Sequence, residues 1–321
     1  MDQPRTELVT IFGGSGFVGT QVVQMLAQQG FRMRVAVRRP DLAGHLRPLG
    51  DVGQIVPIQA NVRDAASVAR AVAGTAIVIN LVGIGFERGK QRFADIHVTG
   101  ARNVVAAAAA AGVKTLIHMS TLGAVADAAS VGARSRAAGE AAVFAAFPEA
   151  IVMRPSIMFG PGDGFFNLMG TLARLSPILP LIGGNSKFQP VYVRDVAQAF
   201  VAAVDGGVKT GRIYELGGPD IETYKALMQR VLRDTGRTNP LLPLSPGFAK
   251  LLAAPMGLLP TPLLTGDQVV QLQSDNVVSE AAIREKRTLA AFGVTPTPMD
   301  AVLPSYLWRF RKNGQFDRQT A

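Results

Sequence analysis

The sequence predicts an α/β protein: a Rossmann-type, doubly wound parallel sheet with a smaller, mostly helical C-terminal domain. Three observations carry that expectation. Strand-like and helix-like segments alternate through the first 155 residues, which implies parallel pairing through right-handed crossovers. The strand-like runs are continuously apolar, as in a sheet covered on both faces. The first of them runs into a glycine-rich turn at the mouth of a helix.

The elements follow in order. Residues 8–12 form a short apolar run. Residues 18–29 carry Val18, Val22, Val23 and Leu26 at helical spacing, and Gly30 ends the helix. Residues 32–37 alternate and are rich in valine, and residues 55–59 make another strand. A helix is expected over 65–73, a buried strand over 76–82 and an alanine-rich helix over 94–111. A strand over 115–120, a helix over 135–146 and a strand over 150–154 complete the alternation. After Pro155 glycine and proline become frequent and the elements shorten. Residues 193–204 and 223–235 read as helices and 212–216 as a strand. The expected division is therefore a nucleotide-binding domain over 1–155 and a smaller domain over 156–321, with segments around 190–217 returning to the first core.

Composition narrows the function classes. The chain has 321 residues, 48% apolar and 17% charged, which argues against disorder. There is no cysteine, so disulfides, thiol nucleophiles and Cys-ligated zinc or iron–sulfur clusters are excluded. The three histidines, His45, His97 and His118, lie far apart, and no metal site is expected. The first residues lack a signal-peptide h-region. The apolar stretch 251–266 is interrupted by Pro255, Pro260 and Pro262, short of the roughly 20 residues that a spanning helix needs. The net charge of +10 suits an anionic cofactor, an acidic partner or an anionic membrane face. No basic run is interleaved with aromatics, so no nucleic acid is expected.

The strongest motif is Gly13, Gly14, Ser15, Gly16, Phe17, Val18, Gly19, with the spacing G-x-x-G-x-x-G. Glycines there permit a tight turn and let the backbone approach a pyrophosphate at the positive end of a helix. The following strand runs into Arg38 and Arg39, without the acid that would hold a free ribose 2′-hydroxyl. Two guanidiniums suit a 2′-phosphate, so the expected cofactor is NADPH; Asp41 is the residue that could upset this.

These motifs resemble the short-chain dehydrogenase/reductase superfamily, in its extended or atypical branch. Asn61 and Val62 stand where that family has an Asp and an apolar residue beside the adenine. Leu81, Val82 and Gly83 match the turn under the adenine ribose. His97 occupies a position usually filled by Asn. Met119 and Ser120, followed by Thr121, match the strand end that carries a catalytic hydroxyl. Pro155, Ser156 and Ile157 resemble the loop lining the nicotinamide. Active members carry Tyr-x-x-x-Lys. The corresponding positions here hold Gly132 and Arg136. The four tyrosines, Tyr192, Tyr214, Tyr224 and Tyr306, are followed four residues later by Val196, Gly218, Met228 and Phe310, none of them Lys. Acid–base help is typically worth about 10²–10⁴-fold, so a reductase without it is slow or uses another group.

Within the superfamily the segments Leu264–Val270 and Gln273–Ser279 are similar to the NADPH-binding accessory subunits of respiratory complex I, in their bacterial form. That resemblance implies a tightly held NADPH and no catalytic residues. It implies partners among the other peripheral-arm subunits, with lipid headgroups as a further contact, on the cytoplasmic side of the bacterial inner membrane. An active NADP(H)-dependent reductase or epimerase with an unconventional proton donor is the alternative, and a soluble redox sensor a third. The apolar stretch 241–264 and the aromatic, basic tail from Tyr306 fit either a self-packed helical region or a partner surface.

Overall fold

The computed structural model describes residues 7–256 and 262–316. They divide into two units. The first comprises the residues up to Pro155, Val193–Leu216 and Ser279–Thr295; the second comprises Ser156–Tyr192, Gly217–Val278 and the residues from Pro296 on.

The first unit is a seven-stranded sheet. Its strands are β1 (Leu8–Phe12), β2 (Arg32–Val37), β3 (Ile55–Gln59), β4 (Ile77–Asn80), β5 (Thr115–Met119), β6 (Ile151–Pro155) and β7 (Arg212–Leu216). The order is β7-β6-β5-β4-β1-β2-β3, and every pairing is parallel. Four of the connections between these strands carry α-helices: α1 (Phe17–Gln28), α2 (Ala65–Val72), α3 (Ala101–Ala110) and α4 (Val131–Ala146). The first strand shows how both faces are covered. Val9 and Ile11 are fully buried, and so is Phe12, which packs with Val68, Val104 and Val105 of α2 and α3. Thr10 is buried too, and its hydroxyl is satisfied by Thr75 Oγ1 at 2.6 Å. The strand order reverses beside β1, with β4 on one side and β2 on the other. That is the switch point at which open α/β sheets bind ligands.

Two details differ from the sequence expectation. The helix expected over 94–111 begins as widened π-helical turns, Ala94–Gly100, before α3. Gly139 of α4 sits against the His97 carbonyl there, so the two segments meet backbone to backbone. Secondly, Ser279–Thr295 belongs to the first unit, not to the smaller one. The cause is hydrogen bonding to β7: Glu215 N–H donates to Arg287 O at 2.9 Å, and Glu215 Oε2 accepts Ser279 N–H at 2.7 Å.

The second unit packs α5 (Phe165–Leu175) and α7 (Tyr224–Thr235) around Phe159, Phe166, Met169, Leu227, Val231 and Leu307; α6 (Val193–Val204) lies in the first unit. Three short strand pairs stitch it: Met158–Phe159 with Val191–Tyr192, Lys187–Phe188 with Glu222–Thr223, and Leu179–Leu181 with Leu241–Pro243. The first turn of α5 is held by Asp163, whose Oδ1 accepts Phe166 N–H at 2.6 Å while Oδ2 accepts the Tyr306 hydroxyl at 2.5 Å. The apolar stretch partly serves this unit's own core. Ala249 and Ala253 of α8 (Pro246–Met256) and Val269 of α9 (Gly266–Gln271) are buried with Ile182. Phe248, Leu251 and Leu252 stay exposed; Leu258 and Leu259 lie outside the described residues. In the tail, Tyr306, Leu307 and Phe310 are buried, whereas Trp308 is partly exposed.

One buried ion pair ties the sheet to its helices. Arg154 of β6 donates to both carboxylate oxygens of Glu140 on α4, at 2.9 and 2.5 Å. Burial works against the Arg154 charge, but the Glu140 hydrogen bond and the charges of Glu140 and Glu215 outweigh it and hold its pKa above the usual value. Removing one partner of such a pair strands the other. Glu140→Gln is expected to lower stability by about 2–4 kcal/mol in urea unfolding at neutral pH; no change in midpoint would show that the pair is not buried in solution.

Candidate functional site

The loop between β1 and α1 is built by close backbone approach. Gly13 has a φ of +79°, and a Cβ on it would stand 3.2 Å from the Leu81 carbonyl carbon and from Val82. Gly14 is packed against Val35. At Gly19 a Cβ would lie 2.5 Å from both the Gly13 oxygen and the Gly14 Cα. Glycine at these positions presses α1 onto the turn. Gly16 differs: its φ is −81°, it is exposed, and a Cβ there would meet only the Gly13 oxygen, at 3.3 Å, so the fold demands glycine less strictly there. No side chain caps α1 and no acid occupies its first turn. Its leading N–H groups thus face outward at the positive end of the helix, an arrangement that accepts a phosphate. Ser15 and Phe17 are half-buried and Val18 is buried in the same loop.

The tip of β2 separates the two arginines. Arg39 is bound by Asp41, with Nη2 to Oδ2 at 2.7 Å. The Arg39 hydrogen bond holds the Asp41 carboxyl below its ordinary range. Arg38 instead donates Nη1 to the Gln91 side-chain oxygen at 2.9 Å. After β3, Asn61 Oδ1 accepts Arg63 N–H at 3.2 Å, and Val62 is buried.

Leu81, Val82 and Gly83 follow β4 and are fixed from behind. Asn80 Oδ1 accepts Val82 N–H at 3.2 Å, and the Asn80 amide donates to His118 Nδ1 at 3.1 Å. His97 Nε2 accepts Ile84 N–H at 3.1 Å, and His97 Nδ1 meets Ser135 Oγ at 2.7 Å. Ser135 in turn donates to Gly132 O at 2.7 Å. Arg136, one turn beyond Gly132 on α4, donates to Ile84 O at 3.0 Å. His97 and Arg136 therefore grip the two polar groups of one peptide residue.

At the end of β5, Met119 is half-buried and Ser120 is 3% exposed. The Ser120 hydroxyl is buried with no hydrogen-bond partner, a cost that a bound polar group would relieve. Pro155 ends β6, and its carbonyl accepts Leu122 N–H at 3.0 Å. Ser156 and Ile157 belong to the second unit. There the Ser156 hydroxyl donates to Asn276 Oδ1 at 2.7 Å, and Ile157 N–H meets the same oxygen at 3.3 Å. The structure thus gathers the loop 13–19, Arg38, Arg39, Leu81, Val82, Gly83, Met119 and Ser120 at strand ends on the carboxyl side of one sheet. The sequence reading missed Asn80, Ser135 and Gln91, which act through neighbours. Only Asn80, a polar residue in an otherwise apolar run, carried a signal.

Neither buried histidine is a ready proton carrier. Burial, then the nearby Arg136 charge, lowers the His97 pKa to about 3. Burial alone lowers that of His118 to about 4. The unfolded chain therefore binds more protons below about pH 6.5, and stability, full above that value, falls as pH drops toward the folded pKa values. Each histidine should remove about 1.4 kcal/mol per pH unit over that range. Urea unfolding between pH 6.5 and 4.5 should show this slope, and NMR titration should find both imidazoles neutral at pH 5; protonation near pH 6.5 in the folded state would contradict the geometry.

Comparison with known proteins agrees with this architecture. The family model of the NAD dependent epimerase/dehydratase family matches residues 9–217. The mitochondrial NADH dehydrogenase (ubiquinone) 1 alpha subcomplex subunit 9 of Arabidopsis thaliana is 36% identical over 321 residues, covering 96% of this chain and 79% of that protein. The Mus musculus protein of the same name is 33% identical, covering 95% and 80%. Among solved structures, an NADPH-dependent quinone oxidoreductase from Escherichia coli complexed with NADPH superposes with a TM-score of 0.72 at 22% identity, covering 94% of this chain and 99% of that one. The last likeness concerns the fold. With its glycine loop at the switch point and matches along nearly its whole length, the chain belongs to the NAD-dependent epimerase/dehydratase family of extended short-chain dehydrogenases, and is a homologue of a mitochondrial complex I subunit.

Proposed function

We propose that this protein is a non-catalytic, NADPH-binding accessory subunit of a proton-pumping NADH:quinone oxidoreductase. Its partners would be subunits of the peripheral arm, near the membrane, on the cytoplasmic side of a bacterial inner membrane. Homology to complex I subunits supports the assembly. No helix among the described residues is long and apolar enough to cross a membrane. The proposed attachment runs through neighbouring subunits.

What supports the reading is a glycine loop beside a site that holds Gly132 and Arg136 where the family's Tyr and Lys are expected. Gly132 has no side chain to donate, one helical turn before Arg136. His97 is neutral and bonded at both ring nitrogens. Tyr214 donates its hydroxyl to Lys209 O, and Tyr306 to Asp163. Burial pushes Tyr224 up to about 12. A lone Ser120 hydroxyl without a base is a poor acid.

The residues present fit the cofactor. The loop 13–19 and the head of α1 would hold the pyrophosphate, and Arg38 the 2′-phosphate. Asn61, Val62, Leu81, Val82 and Gly83 would flank the adenosine, and Met119, Ser120 and Arg136 the nicotinamide end. NADPH supplies a transferable hydride when bound; here these residues grip and orient it without moving a proton. A ligand bound only by the folded state adds about 2.7 kcal/mol of stability at one hundred times its Kd.

The buried, unpartnered Ser120 hydroxyl is the feature that favours the rival reading, an active reductase. Native mass spectrometry of the particle purified from membranes should find NADPH bound and complex I subunits attached. The isolated chain should not oxidise NADPH with carbonyl or sugar-nucleotide substrates; rapid turnover would establish the rival. Gly16→Leu should abolish cofactor binding while the melting temperature of the ligand-free protein stays within a few degrees; retained NADPH would mean the phosphates sit elsewhere. Arg38→Ala should weaken NADPH by about tenfold or more relative to NADH, since charge-assisted bonds to phosphate are the strong ones. Arg39→Ala should do less, because Asp41 already neutralises that guanidinium.

A further inference from the structure

The connection from β4 towards α3 is fastened along its length. Ile84 is gripped by His97 and Arg136. Further on, Arg88 and Gln91 exchange backbone hydrogen bonds, at 3.0 and 2.9 Å, around Gly89 with a φ of +53°. They close a small hairpin over 88–91. Two arginines from neighbouring strand ends hold this hairpin. Arg63, beyond β3, donates Nη1 to Lys90 O at 2.7 Å. Arg38, at the tip of β2, donates Nη1 to Gln91 Oε1 at 2.9 Å. In a doubly wound sheet the end of the second strand is where the ribose 2′ position lies.

We propose that the hairpin 88–91 is a specificity element for a 2′-phosphorylated dinucleotide, with Gln91 as the positioning residue for Arg38; this rests on the reading of the pocket as an NADPH site. The contrast with Arg39 makes the argument. Both arginines are exposed on one loop, and each has a side-chain partner. Arg39 meets a carboxylate, Asp41, which cancels its charge. Arg38 meets an amide oxygen, which holds the guanidinium in place but leaves its charge intact. An exposed arginine must lose rotamer freedom to grip an anion, and Gln91 removes part of that loss in advance. One bond to Gln91 leaves the rest of the planar fork for a phosphate. The acids nearby, Asp41 and Glu87, face Arg39 and Arg92.

Calorimetric titration of the full chain with NADPH and with NADH tests this. Gln91→Ala should raise the Kd for NADPH about three- to tenfold and leave the Kd for NADH within twofold. Gln91→Glu keeps an acceptor for Arg38 but adds a negative charge facing the phosphate. It should weaken NADPH at least as much, again with NADH spared. In an Arg38→Ala background, Gln91→Ala should have no further effect on NADPH, since the two act as one unit. Equal loss of both cofactors, or additive effects in the double variant, would overturn the proposal while leaving NADPH binding in place. A wild-type chain that binds neither cofactor, or prefers NADH, would overturn the proposal together with the reading beneath it.

Discussion

The contact on which this molecule depends is between backbones. Gly19 of α1 lies so close to Gly13 and Gly14 that no side chain fits between them. That approach sets the head of α1 directly against the end of β1, at the point where the sheet reverses its order. Uncapped helix N–H groups are then presented together, pre-aimed, without any charged side chain. The rest of the first unit supports this arrangement. The apolar strands give it a rigid floor, and Gly13 fits against the turn after β4, so that two neighbouring strand ends shape one cleft.

Around this cleft, polar side chains are engaged in holding the backbone. His97 and Arg136 both bond Ile84, one at its N–H and one at its carbonyl. Ser135 completes a chain from His97 to the backbone of Gly132. A group that must shuttle protons needs a pKa near the working pH and a free lone pair or proton. A histidine held neutral, with both nitrogens engaged, has neither. These bonds hold the turn after β4 in place.

Much of the fold could be read from the sequence because parallel, fully covered strands are marked by long apolar runs and helices by their glycine stops. Residues 8–12, 32–37, 55–59 and 212–216 form strands with those bounds. The glycine loop was legible for the same reason: its spacing is dictated by local sterics. What could not be read is non-local. Nothing near Gln91 announces that its amide meets Arg38, 53 residues earlier. The pairing of Arg39 with Asp41 was visible as a possibility, since it is local, but its outcome for the neighbouring arginine was not. The π-helical start at Ala94–Gly100 lies where α4 approaches closely at Gly139, a tertiary contact that periodicity does not encode. The return of Ser279–Thr295 to the sheet rests on a handful of bonds to β7, again between distant residues.

That return has a consequence for how the chain is made. The last strand of the sheet, β7, receives its outer partners from a segment emerging more than sixty residues later, after two of the three segments of the second unit have been synthesised. The two units are therefore nested along the polypeptide and not arranged in series. A fragment cut after residue 217 would hold every strand of the seven-stranded sheet. Even so, it would leave the Glu215 carboxylate without the Ser279 amide and the Ile213 carbonyl without Arg287. Those last contacts of the first unit can form only once residues 279–287 have been made.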